Sequence, residues 1–288
     1  MRIRTTAVVV TSALAGLMVP AWPAYADAVP VRYQATGAYN PVGAKSVAVR
    51  CPAGTSVLGT GGEVNGGGGK VILTGIVPDT ALTTVTVSAV ARTGQPDGWS
   101  ITAYAVCRAP GLYEPVRVAS SGLLWNASAT CPVGKQVTGA GFAILNATGS
   151  AFLDRLKPST GLTHVDVHAR GVAIGADNLM AYAICAVPVD QAERTEATAD
   201  SEGGASTSAV AGQPLYAPGG TSRTYTVGGE ITGGGQVHLD ALVPNPALDT
   251  ARARAVVAPA PPAAGTTFVA LDDAYSVTAF GLCIGSWY

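Results

Sequence analysis

Residues 51–61 read CPAGTSVLGTG, and residues 131–141 read CPVGKQVTGAG. The match continues downstream. VPDTALTTVTVSA (77–89) answers KPSTGLTHVDVHA (157–169), and AYAVC (103–107) answers AYAIC (181–185). A worn third copy carries GGEI (228–231), VPNPAL (243–248) and YSVTAFGLC (275–283). It lacks the first Cys, with Ala217 or nothing in that place, and holds a Pro/Ala insertion, APAPPAAGTTF, from residue 258. A small unit repeated three times must bury its apolar face within itself or against its neighbours, so the repeat restricts the architecture more than any other feature.

Within a unit the period is two. Val85, Val87 and Ala89 alternate with Thr84, Thr86 and Ser88; Trp99, Ile101, Ala103, Ala105 and Cys107 alternate with Ser100, Thr102 and Tyr104. Such alternation predicts half-buried antiparallel strands. After residue 26 no helical stripe exceeds two turns. The expected fold class is all-β, with three disulfide-stapled antiparallel β repeats of four or five short strands each. The boundaries are repeat 1 at 27–110, repeat 2 at 111–188 and a degenerate repeat 3 at 214–288. Residues 189–213, VDQAERTEATADSEGGASTSAVAGQ, are polar and Ser/Gly/Thr-rich and are expected to be a flexible linker. Residues 27–38 are either a short leading strand or an ordered tail.

The five cysteines are Cys51, Cys107, Cys131, Cys185 and Cys283. The alternation turns Cys51 and Cys107 inward on the first and last strands of a unit, which predicts Cys51–Cys107 and, by repetition, Cys131–Cys185. Each bridge is worth about 4 kcal/mol in the chain-entropy model, which matters for a unit too small to bury much core. Cys283 is then a free thiol, inert if buried, or the means of an intermolecular disulfide and a dimer.

The N-terminus carries Arg2 and Arg4, an apolar stretch over residues 7–19, then Pro20, Pro23 and Ala24-Tyr25-Ala26. This is the pattern of a secretory signal peptide, residues 1–26, cleaved after Ala26. No later stretch reaches the ~18 apolar residues of a membrane-spanning helix. The expected localisation is secreted and extracellular, with no membrane association after cleavage. The chain beyond residue 26 has 15 basic and 18 acidic side chains, a net charge of −3. That balance argues against nucleic acid or an anionic membrane surface as partner, since both require dense Lys and Arg.

The pattern CPxGxxVxGxG followed by AYAxC resembles secreted repeat proteins of actinomycete-type bacteria. The resemblance covers most of the chain and implies secretion and a disulfide-stapled β unit. A weaker similarity, carried by Cys51-Pro52-Ala53-Gly54 and Asp79-Thr80-Ala81-Leu82, is to the vitelline membrane outer-layer protein family. It implies a three-sided β-prism with one sheet per repeat. The missing Cys of repeat 3 keeps separate or pairwise-packed β units as the alternative.

Residues 51–70, CPAGTSVLGTGGEVNGGGGK, look at first like a phosphate loop. Val64 stands where the first P-loop glycine belongs, and Val71 replaces the hydroxyl that would hold magnesium. The stretch is expected to be a strand and a glycine hairpin turn. His164, Asp166 and His168 share one face of a strand, so pairs of them resemble metal ligands. The outer two are ~13 Å apart along an extended strand, and the matching positions hold Thr84, Thr86 and Ser88 or Thr250, Arg252 and Arg254. That face is expected to be solvated, with no metal and no cofactor. No catalytic residue is advertised by any motif; a glycosidase carboxylate pair requires none. Tyr39, Tyr113 and Tyr216 recur as Tyr-x-Pro, and Trp99 and Tyr275 open the last strand of their units. The expected function is a non-catalytic extracellular binding module with cell-wall or other glycan as partner. The alternatives are a structural envelope protein without a small-molecule ligand and a secreted glycan-active hydrolase. No motif in the sequence marks ligand-binding residues.

Overall fold

The computed structural model describes residues 29–92, 97–109, 111–122, 125–147, 150–171, 178–188, 191–201, 205–213, 221–259 and 274–286. The expected signal peptide, Ala217, Tyr216 and most of the Pro/Ala insertion lie outside the described residues.

The chain is all-β, and among the described residues each repeat runs through six strands, where four or five were expected. Repeat 1 holds β1 (Val31–Thr36), β2 (Ala44–Arg50), β3 (Ser56–Gly66), β4 (Val71–Pro78), β5 (Thr84–Ala91) and β6 (Trp99–Arg108). A short 3-10 turn, Gly111–Tyr113, leads into repeat 2. That repeat holds β7 (Val116–Ser121), β8 (Asn126–Thr130), β9 (Gln136–Ile144), β10 (Ala151–Pro158), β11 (His164–Gly171) and β12 (Leu179–Ala186). Repeat 3 holds β13 (Gln191–Asp200), β14 (Ser206–Gly212), β15 (Thr221–Gly233), β16 (Val237–Pro244), β17 (Thr250–Val257) and β18 (Tyr275–Ser286).

The strands form three six-stranded antiparallel sheets, in the orders β1-β6-β3-β16-β17-β14, β2-β5-β4-β9-β12-β7 and β13-β18-β15-β10-β11-β8. Each sheet is therefore shared by two repeats, which corrects the expectation of one sheet per repeat. Every repeat splits into two three-stranded halves and gives one to each neighbouring sheet. The reason is edge pairing: a three-stranded half leaves an inner edge with unpaired backbone groups. Each inner edge docks on the next repeat's half, at Glu63↔Ala241 and Gly62↔Leu242, at Ala143↔Gly75 and Phe142↔Ile76, and at Glu230↔Arg155 and Gly229↔Leu156. These three seams occupy equivalent positions, so the arrangement repeats three times around the molecule.

Two strands lie where a linker was expected. β13 pairs along its whole length with β18, and β14 with β17. Their polar composition has a plain cause: both are outermost strands of their sheets. Glu193 and Arg194 sit on an edge while Ala192, Ala197 and Ala199 pack against the core. Edge strands tolerate charge and small residues, so their composition resembles that of a linker.

The repeated motifs correspond to specific turns. In CPxG, Thr55 N–H donates to Pro52 O at 3.1 Å and Lys135 N–H to Pro132 O at 3.0 Å. Gly54 and Gly134 then take φ of 80° and 82°, a region costly for other residues. In the second turn, one side chain caps two backbone amides. Asp79 Oδ1 accepts from Thr83 and Thr84, Ser159 Oγ from Thr163 and His164, and Asn245 Oδ1 from Asp249 and Thr250. Leu82, Leu162 and Leu248 hold positive φ there and bury their side chains.

Cys51–Cys107 and Cys131–Cys185 are disulfides, with Cα–Cα distances of 5.7 and 5.6 Å. Each ties the end of one half-sheet to the last strand of the other, across a corner between two sheets. In repeat 3 no such staple is present among the described residues. Cys283 stands where Cys107 and Cys185 stand and is a buried free thiol. Burial pushes its pKa up, although the hydroxyls of Thr224 and Thr195 lie 3.6 and 3.8 Å from the sulfur. Two disulfides fit an oxidising, extracellular-type environment. No helix among the described residues is long and apolar enough to cross a membrane.

A large core cluster draws residues from all three sheets, and Tyr104, Ala241 and Val243 form a small second one. At one end β3, β9 and β15 meet so closely that a Cβ on Gly59 would lie 1.7 Å from Tyr225 O. Thr60 Oγ1 donates to Ala140 O there, and Thr226 Oγ1 donates to Thr60 O at 3.1 Å. Toward the other end, Ile72, Phe152 and His238 occupy equivalent buried positions on β4, β10 and β16.

Candidate functional site

The outer faces of the sheets carry most of the charge, and β-bulges decide where it points. β4, β10 and β16 each shift register by one residue, at Thr74, Asp154 and Asp240. A bulge re-aims its extra side chain, and here it tucks two carboxylates under neighbouring cations. Asp154, 3 % exposed, accepts from Arg170 Nε and meets His168 Nδ1 at 2.5 Å. Asp240 takes both of its bonds from Arg254, at 2.8 and 2.9 Å. Burial pushes the Asp240 carboxyl up, against the opposing pull of Arg254. These aspartates were not singled out from the sequence, yet a signal existed: Leu-Asp recurs at 153–154 and 239–240, an acid inside an apolar strand.

Two seams add a second layer. Glu63 accepts from Tyr104 OH at 2.9 Å and from Arg252 at 2.8 Å, with Arg254 at 3.9 Å. Burial, with the Glu63 carboxylate beside it, pushes the Tyr104 hydroxyl up to about 12. At the equivalent seam Glu230 pairs with Lys157 at 2.7 Å and Arg155 at 3.5 Å. The third seam has Ala143 and Gly75 in these places. An arginine also lies over an aromatic ring in every sheet: Arg32 on Tyr104 and Arg117 on Tyr182, both at 4.7 Å, and Arg194 on Phe280 at 4.9 Å.

The β11 residues face outward together, as the alternation predicts. His164 Nε2 lies 3.4 Å from Asp166 Oδ2, but His168 turns to Asp154 on the adjacent strand. Among the described residues no group of three His, Cys, Asp or Glu side chains is placed to hold a metal. The glycine run forms the β3–β4 hairpin connection. Gly66, Gly67, Gly68 and Gly69 all have positive φ, and Lys70 N–H closes the turn on Gly67 O at 2.9 Å.

Tyr39 and Tyr113 of the Tyr-x-Pro pattern are not structural equivalents. Tyr113 lies before β7, buried, and accepts a hydrogen bond from Arg108. Tyr39 lies between β1 and β2 and is 68 % exposed. Trp99 and Tyr275 are both core residues. The Tyr39 loop, residues 37–43, is longer than its counterparts at 122–125 and 201–205. It is held firmly: Asn40 and Trp99 exchange backbone hydrogen bonds of 3.2 and 3.1 Å, and Lys45 Nζ donates to Ala38 O and Asn40 O at 3.0 and 2.8 Å.

Acid–base chemistry needs a carboxyl free to exchange a proton at a reacting group. Glu63 and Asp240 are two carboxylates that share Arg254, which bridges them, and Asp240 is buried beneath it. A small pocket beside Tyr113 and Ile284 holds about 10 Å³, room for one water. No protein-family model matches the chain, and no curated protein sequence matches it.

Proposed function

We propose that the chain is a secreted, non-catalytic binding module of the cell exterior, built as a three-sided β-prism, with carbohydrate or cell-wall material as its ligand class. The observation that carries this reading is the loop at 37–43. The other two repeats close the same β-strand connection with fewer residues, so the fold itself does not require the extra length. A loop that a stapled, rigid frame holds in place yet does not need is where binding function concentrates. The low charge density and the pairing of Asp154, Asp240, Glu63 and Glu230 within the frame support a module that presents a surface without reacting chemically. The signal-peptide pattern at 1–26 and the two disulfides support export to an oxidising compartment.

The test is retention of the purified protein on insoluble chitin, cellulose and peptidoglycan, with elution by the matching soluble oligosaccharide. Retention followed by competitive elution is expected. Passage through every matrix would favour the structural envelope reading. Release of reducing sugar, abolished in Glu63→Gln, would favour the hydrolase.

A further inference from the structure

Tyr39 is an exposed aromatic whose ring lies against the backbone of two glycines. A Cβ on Gly98 would lie 2.5 Å from Tyr39 Cε1, and one on Gly66 would lie 3.2 Å from the Tyr39 hydroxyl. The ring thus rests on bare backbone at both places: a side chain at 98 would collide with it, and one at 66 would crowd it. Gly66 reaches its place with φ of 81°. The loop that carries Tyr39 is tied to Trp99 by the Asn40 bridge and to Lys45 by two carbonyls. Most of the residue is nevertheless open to solvent, at 68 % exposure. Asp97, beside Gly98, is also exposed.

A rigid flat π face with polar groups at its rim suits one ligand chemistry above others. A pyranose ring offers a sheet of C–H groups that stacks on an aromatic face, and its equatorial hydroxyls reach polar groups around the edge. An apolar peptide side chain asks instead for a pocket that encloses it, which a ring lying flat on glycine backbone does not supply. The ring also loses little freedom on binding, because its seat already fixes it.

We propose that Tyr39 is the stacking platform of a carbohydrate subsite, with Gly66 and Gly98 as its seat and Asp97 and Asn40 at its rim. This rests on the binding-module reading above and names the ligand contact within it. The test compares wild type with Tyr39→Ala, Tyr39→Phe and Tyr39→Trp on the same chitin, cellulose and peptidoglycan matrices. The alanine variant should lose at least tenfold in affinity on the matrix that retains wild type, and the two aromatic variants should stay near wild type. Thermal melting checks that the alanine variant folds. A measurement on unaltered protein runs in parallel: nitration of Tyr39 by tetranitromethane, read by peptide mass spectrometry. Chitohexaose, cellohexaose or a muropeptide, matched to the retaining matrix, should slow it. Retention of wild type with an unaffected alanine variant, or unslowed nitration, overturns the subsite and leaves the module reading standing. Failure of wild type to bind any of the three matrices overturns both.

Discussion

His238 makes acid stability a direct test of how the interior is packed. Its side chain is 0 % exposed, and its ring lies 5.9 Å from that of Phe152. Nε2 lies 3.0 Å from Val71 O, so it carries the proton of the neutral ring. Nδ1 is buried without a partner among the described residues. Protonation would put a second N–H on Nδ1 with nothing to receive it. Burial therefore holds the pKa down at about 4; the Val71 carbonyl opposes this, and the nearby Arg92 adds to it. The sign follows from linkage. Unfolded His238 takes up its proton near the ordinary 6.5 and folded His238 only near 4. Stability that is full above 6.5 is therefore lost as pH falls through that window. From pH 7 to pH 5 the loss is about 2 kcal/mol, and ordinary carboxylates barely titrate in that interval. The perturbation is His238→Ile, which installs the side chain that repeat 1 uses at the same position. Urea unfolding of the oxidised protein at pH 7, 6 and 5 gives both stability curves. The gap between wild type and variant should shift by about 2 kcal/mol over the series, a midpoint shift of roughly 1 M urea. Groups common to both proteins cancel in that difference. Parallel curves would refute the claim that an uncompensated imidazole is buried at this end of the molecule.

Two further outcomes follow from close packing and from the unpaired thiol. Gly59→Ala should destabilise by about 3 kcal/mol or prevent folding, because its Cβ would meet Tyr225 O at 1.7 Å, whereas Gly212→Ala meets nothing within 4 Å and should melt near wild type. Cys283, buried with its pKa raised by that burial, should resist iodoacetamide in the native protein at pH 8 and react once the chain is unfolded in urea, as read by intact mass; labelling at equal rates in both states would contradict its placement.

The all-β class was legible because period-two alternation is a local signal, and both disulfides because that alternation turns the first and last Cys of a unit inward and the repeat carries the pairing over. The turns at Gly54 and Gly134 show their αL demand only in the structure. The sharing of sheets between repeats was not legible, since two seam pairs such as Glu63↔Ala241 leave no local trace. β13 and β14 escaped because an edge strand of Thr, Ala and charge looks like a linker until its partner strand is known. At the candidate site, the outward face of His164, Asp166 and His168 was readable from alternation. The turn of His168 toward Asp154 depends on a bulge in a different strand. Tyr39 was visible as one of three Tyr-x-Pro tyrosines, but its separation from Tyr113 required knowing that one lies between β1 and β2 and the other before β7.

The lost staple of repeat 3 and the uneven distribution of charge are explained by the same geometry. A Cys51-type bridge ties the two halves of one repeat across a corner, and each half is also tied to a neighbouring repeat at a seam. Repeat 3 lacks the bridge among the described residues, and both seams that involve it carry ion-pair networks. Glu63 meets Arg252 and Arg254 at one, and Glu230 meets Lys157 and Arg155 at the other. The remaining seam joins the two stapled repeats and has Ala143 opposite Gly75. A staple contributes roughly 2–4 kcal/mol, and an exposed ion pair less than about 1 kcal/mol. Glu63 and Glu230 are only partly exposed, each meets two cations, and Glu63 also accepts from Tyr104. Such networks contribute more than isolated surface pairs and offset part of what the bridge would supply. In a ring of three repeats, holding repeat 3 at both of its seams constrains the same corner that its disulfide would have closed.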